Sequence, residues 1–271
     1  MSLLTSRPAL VVGRTWLTAD IVSFWIRETI LARTVDPGQF LGVRPGLGPD
    51  PMLRRPLSVA DVAGNRLRLI FQVRGRGTEM LARAKPGDYL DVLGPLGKPA
   101  PPLDQYRLVV CAGGVGAAPL LYYVRRMKKR RHTQVFLGAR SKERLILVDE
   151  FQRTGVPVMV ATDDGSAGYH GTVTELLVNR IRVQDPEGTG KKYGAQQTGG
   201  VKRLVVLACG PKPMLAELVC RLAPFPVWGY IEERMGCGTG ICYCCALPRR
   251  DGGYTRFCQE GPVVLLNEVI L

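Results

Sequence analysis

The chain has 271 residues, 46% of them hydrophobic, with 32 glycines, 20 prolines and a formal net charge of +14. That length holds two ordinary domains of about 100–150 residues plus an appendage. No window reaches the roughly 18 apolar residues of a membrane span, and residues 1–12 lack the charged start and long apolar stretch of a leader, so a membrane-embedded or exported chain is disfavoured and a cytoplasmic one expected.

Residues 1–103 read as all-β. Short apolar runs at 9–12, 21–26, 67–73 and 89–93 are separated by Pro-Gly and Gly-rich turns, the pattern of a small antiparallel barrel. Two segments stand out within it. Arg54-Arg55-Pro56-Leu57-Ser58 joins cations, a rigid proline and a hydroxyl, and Gly75-Arg76-Gly77-Thr78 follows a strand. An arginine fork with exposed backbone N–H groups suits a pyrophosphate, although a barrel corner and a hairpin loop use the same residues.

From Arg107 the rhythm changes. Apolar runs at 108–112, 134–139, 158–162 and 204–208 alternate with helical stretches, which predicts a parallel sheet with crossover helices. The turn Gly113-Gly114-Val115-Gly116 ends the first strand and opens a helix, where a phosphate can meet the helix's positive end. A second turn, Cys209-Gly210-Pro211, occupies the same place after the strand at 204–208. Ligands of open parallel sheets gather at these carboxyl ends, while Cys209 taken alone suits a buried core position. Arg140 and Lys142, after the strand at 134–139, leave a 2′-phosphate open as well as a solvent-facing strand end.

The densest basic run, Arg125 to Arg131, follows a helical stripe of Leu120, Leu121, Val124 and Met127. Such a run can meet nucleic acid, an acidic protein partner or solvent, but cations suit the negative end of a helix dipole, so a solvated helix end accounts for it and nucleic-acid binding is not expected. Residues 185–200, rich in Gly, Lys and Gln, read as a mobile surface insertion.

Five of the eight cysteines crowd into the C-terminal segment. Cys237, Cys242, Cys245 and Cys258 have the C-x4-C-x2-C…C spacing of plant-type 2Fe–2S ferredoxins, and Gly238 and Gly240 let backbone N–H groups approach sulfur. A structural zinc site is the alternative, but zinc sites pair matched cysteine couples or histidines, and His132 and His170 lie far upstream. Cys244, between two ligands, would replace one only by shifting the loop and reads as a spare thiol.

In this order the four motifs resemble the ferredoxin-reductase superfamily, and Glu232-Glu-Arg-Met-Gly-Cys-Gly-Thr-Gly-Ile-Cys242 is similar to the electron-transfer subunits of B-type, NAD-linked dihydroorotate dehydrogenase. The resemblance runs from Pro37-Gly-Gln-Phe40 through the cysteines, with residues 185–200 outside it. It implies an α+β multidomain chain: an N-terminal antiparallel FAD barrel (1–103), an α/β parallel-sheet nicotinamide domain (104–225) and a small 2Fe–2S module (226–271). It further implies that Arg55, Pro56, Leu57 and Ser58 hold the FAD phosphates and flavin edge. Ile70, Phe71 and Gln72 would line the flavin, and Gly77 with Thr78 would cap the pyrophosphate. The two turns, Gly113 to Gly116 and Cys209 to Pro211, would bracket NAD, with NADP open.

The implied partner is an FMN-containing catalytic subunit, in a heterotetramer of two of each, serving pyrimidine synthesis. Neither nucleic acid nor membrane is expected as a partner. Two residues depart from the wider pattern: Leu57 stands where many ferredoxin reductases have an aromatic, and Cys244 where the dihydroorotate branch has a small residue. All-cysteine ligation favours that branch over sister subunits of NADP-linked ferredoxin oxidoreductases, sulfide dehydrogenases or hydrogenases. A reading of another class, a basic zinc-stabilised nucleic-acid-binding protein, would be colourless.

Overall fold

A computed structural model describes residues 5–46, 52–184 and 203–271, so the expected insertion at 185–200 lies outside the described residues. Six strands close the N-terminal part into a barrel: β1 (Ser6–Trp16), β2 (Ile21–Arg27), β3 (Phe40–Val43), β4 (Arg55–Ala63), β5 (Arg66–Gln72) and β6 (Tyr89–Leu96). They are antiparallel, in the order β1-β2-β5-β4-β3-β6. Side chains alternate across each strand, so Val22, Phe24 and Ile26 of β2 turn inward with Leu67, Leu69 and Phe71 of β5. Phe24 and Phe71 meet edge to face, their centroids 5.5 Å apart.

The all-β expectation needs one correction. Two short helices, α1 (Thr29–Thr34) and α2 (Arg76–Ala82), interrupt the barrel. Their starts are fixed locally: the Glu28 carboxylate accepts the Leu31 N–H at 2.5 Å, and the Thr78 hydroxyl accepts from Gly75 N at 3.2 Å.

The second sheet begins with β7 (Arg107–Gly113), helix α3 (Ala117–Arg126) and β8 (Thr133–Ala139). It continues with α4 (Val148–Gln152), β9 (Val158–Thr162), β10 (Tyr169–His170), α5 (Val173–Gln184), β11 (Leu204–Cys209), α6 (Lys212–Arg221) and β12 (Val227–Tyr230). After β12 come a hairpin of β13 (Ala246–Pro248) and β14 (Tyr254–Arg256), the single turn α7 (Phe257–Glu260) and β15 (Val263–Leu265). The sheet order is β10-β9-β8-β7-β11-β12-β15, parallel except for the β12–β15 pair. The central strand β7 is covered on both faces, which is why its Leu-Val-Val-Cys-Ala run is continuously apolar. Two strands from the expected cluster module, β12 and β15, are therefore part of this sheet, and the cysteines lie on an excursion between them.

Barrel and sheet meet along α3. Its Tyr122 hydroxyl donates to Val35 O at 2.9 Å, and its Tyr123 hydroxyl donates to Pro101 O at 2.7 Å while accepting Leu103 N at 2.9 Å. One apolar cluster crosses the junction, joining Ile21, Ala60 and Ile70 of the barrel to Leu120, Leu121 and Val124. Beside it the Arg68 guanidinium, from β5, grips both Glu150 oxygens at 2.7 and 2.8 Å. Arg125 joins Glu150 at 2.9 Å and pairs with Asp61. The basic run behaves as expected of a helix end, with Arg130 donating to the carbonyls of Val124 at 2.8 Å and Arg125 at 2.5 Å.

Candidate redox site

A cleft of about 230 Å³ opens where the barrel, the sheet and the approach to the cysteines converge. Pro56, Leu57 and Ser58 reach it from β4, and Ile70, Phe71 and Gln72 from β5. Thr78 and Val115 complete the expected set found in its walls. Strand β4 escaped the sequence pattern because Pro56, Ser58 and Asp61 break its apolar run. Its register against β3, Phe40 opposite Ser58 and Leu41 opposite Leu57, brings those residues to the cleft.

The pair expected to face a phosphate, Arg55 and Gly77, is also brought together. The Arg55 guanidinium lies close over Gly77, within 2.4 Å of where a Cβ at 77 would stand, so a side chain there would push the guanidinium aside. Arg55 Nη1 donates to Leu53 O at 2.6 Å. The Thr78 hydroxyl accepts from Arg74 N at 3.0 Å and donates to Gly75 O at 2.8 Å, which holds the start of α2 in place. Gln72 is held at both ends, donating to Asp20 at 2.6 Å and accepting from Arg74 Nε at 2.6 Å.

The two glycine turns prove to be one unit, because β7 and β11 are neighbours in register, with Cys209 opposite Ala112. A Cβ on Gly116 would overlap the Cys209 carbonyl, and one on Gly113 would come to 2.8 Å from Met214 Sδ and 3.0 Å from Pro211 Cδ. Gly210 is confined by Met214 in the same way, its Cβ position 2.5 Å from the methyl. Gly114 differs: it adopts φ +55°, with no atom within 4 Å of where a side chain would start. It is the member of this turn whose glycine leaves open space at the strand end. Burial, with help from the Glu232 charge, pushes the Cys209 thiol well above its ordinary value, so it stays protonated.

Residues 231–235 were missed as cleft walls. Ile231, Glu232, Glu233 and Met235 line it, and Glu233 is ion-paired with Lys212. The available signal was their place just past the carboxyl end of β12.

The cysteines fall into two pairs. Cys237 N donates to Cys242 Sγ at 3.3 Å and Cys242 N to Cys237 Sγ at 3.4 Å, forming an outer pair. Cys258 N donates to Cys245 Sγ at 3.4 Å, forming an inner, buried pair. Further backbone donors reach the sulfurs, Thr239 N to Cys237 at 3.3 Å and Gly240 N to Cys258 at 3.1 Å. Gly238 at φ +71° and Gly240 at φ +88° make these turns accessible. Burial would raise the Cys237 thiol, but hydrogen bonds from the Thr239 side chain and from the backbone N–H groups of Thr239 and Cys242 bring it down to about 5. Burial and the neighbouring Cys245 push Cys258 up to about 12.

Among the described residues no three His, Cys, Asp or Glu side chains are placed to hold one metal ion. Two cysteine pairs ringed by N–H donors, one for each iron, fit a two-iron cluster better than a tetrahedral zinc. The cleft likewise fits a flavin, with an apolar wall of Leu57, Ile70 and Phe71 and a cation at Arg55.

Fold and site together define a flavin-dependent reductase of the ferredoxin-reductase type with an iron–sulfur segment set into its second sheet. Residues 232–270 match the model of the iron–sulfur cluster binding domain of dihydroorotate dehydrogenase B. The dihydroorotate dehydrogenase B (NAD(+)) electron transfer subunit of Desulforamulus reducens is 40% identical over 86% of this chain and 86% of its own. The homologue of that subunit in Aquifex aeolicus is 33% identical over 96% of this chain and 97% of its own. The chain belongs to the family of dihydroorotate dehydrogenase B electron-transfer subunits. It is also similar, at 28% identity and a TM-score of 0.82 over 100% of this chain and 91% of the other, to the NADH-dependent reduced ferredoxin-NADP oxidoreductase, a structure reported for flavin-based electron bifurcation. Membership replaces the zinc-stabilised nucleic-acid reading with an electron-transfer component of an oxidoreductase. Among the described residues no helix is long and apolar enough to cross a membrane.

Proposed function

We propose that this chain relays electrons between NAD and an FMN-containing dihydroorotate dehydrogenase catalytic subunit, through FAD and a 2Fe–2S cluster, in a cytoplasmic assembly of two of each subunit. Its residues would divide as 1–103 for FAD, 104–225 for the nucleotide and 226–271 for the cluster. The single observation that carries this reading is continuity. Phe40 lines the flavin cleft and belongs to the same packed apolar cluster as Leu96, Phe257 and the inner ligands Cys245 and Cys258. A close-packed medium thus joins the cleft to the cysteines.

When bound, a flavin accepts a hydride from nicotinamide and passes on single electrons, which is what a one-electron cluster requires. The chain's own tasks are then binding and insulation. Leu57, Ile70 and Phe71 offer an apolar face, Arg55 a cation for phosphate, and Gly114 an open approach for the nucleotide at the sheet's carboxyl edge. Backbone N–H groups at Thr239 and Gly240 stabilise negative charge on sulfur. On the outer face Ile241 and Tyr243 are 79% and 60% exposed, apolar surface that supports a docked partner beside the outer cysteines.

The test is the anaerobically purified complex. A flavin spectrum with about two irons and two sulfides per chain is expected, bleached by NADH in preference to NADPH. Dihydroorotate should then reduce NAD. A colourless, zinc-containing protein, or a complex that leaves NAD oxidised with dihydroorotate present, would overturn the reading.

A further inference from the structure

Cys244 was expected to need a loop shift before it reached a metal, yet its thiol already lies against that of Cys242. Both sulfurs approach one point of backbone: the Cβ position of Gly236 is 3.2 Å from Cys242 Sγ and 3.3 Å from Cys244 Sγ. The Cys244 thiol is close enough to Cys242 and to the Gly236 backbone to feel both electrostatically. Cys242 and Cys244 are therefore near-equivalent occupants of one small space.

The cause is the residue between them. Tyr243 holds φ +58°, a left-handed conformation that a non-glycine residue keeps only where its surroundings enforce it. Here Arg256 does so, stacked 5.0 Å over the Tyr243 ring and donating to Gly240 O at 3.0 Å. The inner pair has no comparable freedom, since Cys245 and Cys258 are buried among Phe257, Leu96 and Val269. Cys242 and Cys244 are both exposed.

We propose that Cys244 is an alternate ligand of the outer iron, exchanging with Cys242 on an otherwise intact cluster. In the exchange the bond from iron to Cys242 Sγ breaks, a bond to Cys244 Sγ forms, and the Cys244 thiol proton passes to the released Cys242 sulfur. No electrons are gained or lost, and the cluster keeps four thiolates. The exposed side of the cluster, where oxidants arrive first, then has a replacement thiolate in place.

This inference rests on the two-iron reading, and the experiment separates the two. Iron, acid-labile sulfide and the visible spectrum are measured on the anaerobically purified wild-type complex, Cys242→Ala and Cys242→Ala/Cys244→Ala. Expected are about two irons and two sulfides per chain in the wild type, at least half of that in Cys242→Ala, and a fall of at least tenfold in the double variant. A Cys242→Ala protein as empty as the double variant overturns the exchange but not the cluster. A wild type without iron and sulfide overturns both. Because the variants can fail by unfolding, the loaded wild-type complex is also alkylated briefly and its peptides mapped. Exchange predicts label on Cys242 and Cys244 alike. Label on Cys244 alone overturns it.

Discussion

The junction between barrel and sheet and the cysteine loop are both rich in glycine and polar contacts, yet they are built for opposite ends. At the junction, glycine removes bulk so that backbone packs on backbone, as Gly116 does on the Cys209 carbonyl, and charges are locked in partly buried pairs around Glu150. In the loop, glycine supplies left-handed turns, and the contacts are N–H to sulfur bonds of 3.1 to 3.4 Å, some buried and some facing solvent. The junction is a finished frame, whereas the loop is arranged around a group it must receive. Damage to the first should cost global stability, and damage to the second should cost the cluster.

The sharpest contrast comes from Glu150→Ala, which strips Arg68, 8% exposed, of its carboxylate. Leaving that cation partly buried should cost about 3 kcal/mol in urea unfolding, while iron per folded chain stays unchanged. Loss of iron at wild-type stability would break the comparison. Gly116→Ala should come next, at about 2 kcal/mol, because its methyl meets a backbone carbonyl that cannot rotate away.

In the loop, Gly240→Ala forces a left-handed residue and sets its methyl 2.5 Å from Gln259 Oε1. The cost to the apoprotein should be about 1 kcal/mol, with a more negative cluster potential as the N–H turns away from Cys258. Adding Gln259→Ala relieves the crowding but not the backbone angle, so redox titration should show the potential only partly restored.

The smallest effect lies at the solvent edge of the junction. Hydrogen bonds from Arg144, then Gln72, bring Asp20 from 3.8 down to about 2. A lowered carboxyl favours the folded state above the unfolded value and loses that contribution as pH falls through the folded one. Arg144→Ala should therefore cost less than about 1 kcal/mol at pH 7, with the cost shrinking as pH falls through about 2, when followed by denaturant titration across that range.

Much of this was legible in the residues themselves. The cysteine spacing singled out the four cysteines that the fold brings into two pairs, because a cluster requires fixed chain lengths between its thiolates. The apolar runs of the parallel sheet were equally plain, since central strands are covered on both faces. Strands β3 and β4 were not, because four residues in one and Pro56 in the other leave too little pattern. Nor did local pattern reveal that Ile231 to Met235 complete the cleft, since those residues meet β4 and β5 only through long-range packing.

The sequence by itself determined the order of barrel, parallel sheet and cysteine segment, which depends on spacing and periodicity along the chain. Only the tertiary structure decided which residues meet: that Gly77 lies beneath Arg55, that the two glycine turns are one packed unit, that β12 and β15 join the sheet, and that Cys244 lies beside Cys242. Such contacts depend on distances across space, which strand register and side-chain packing set after the local pattern has been read.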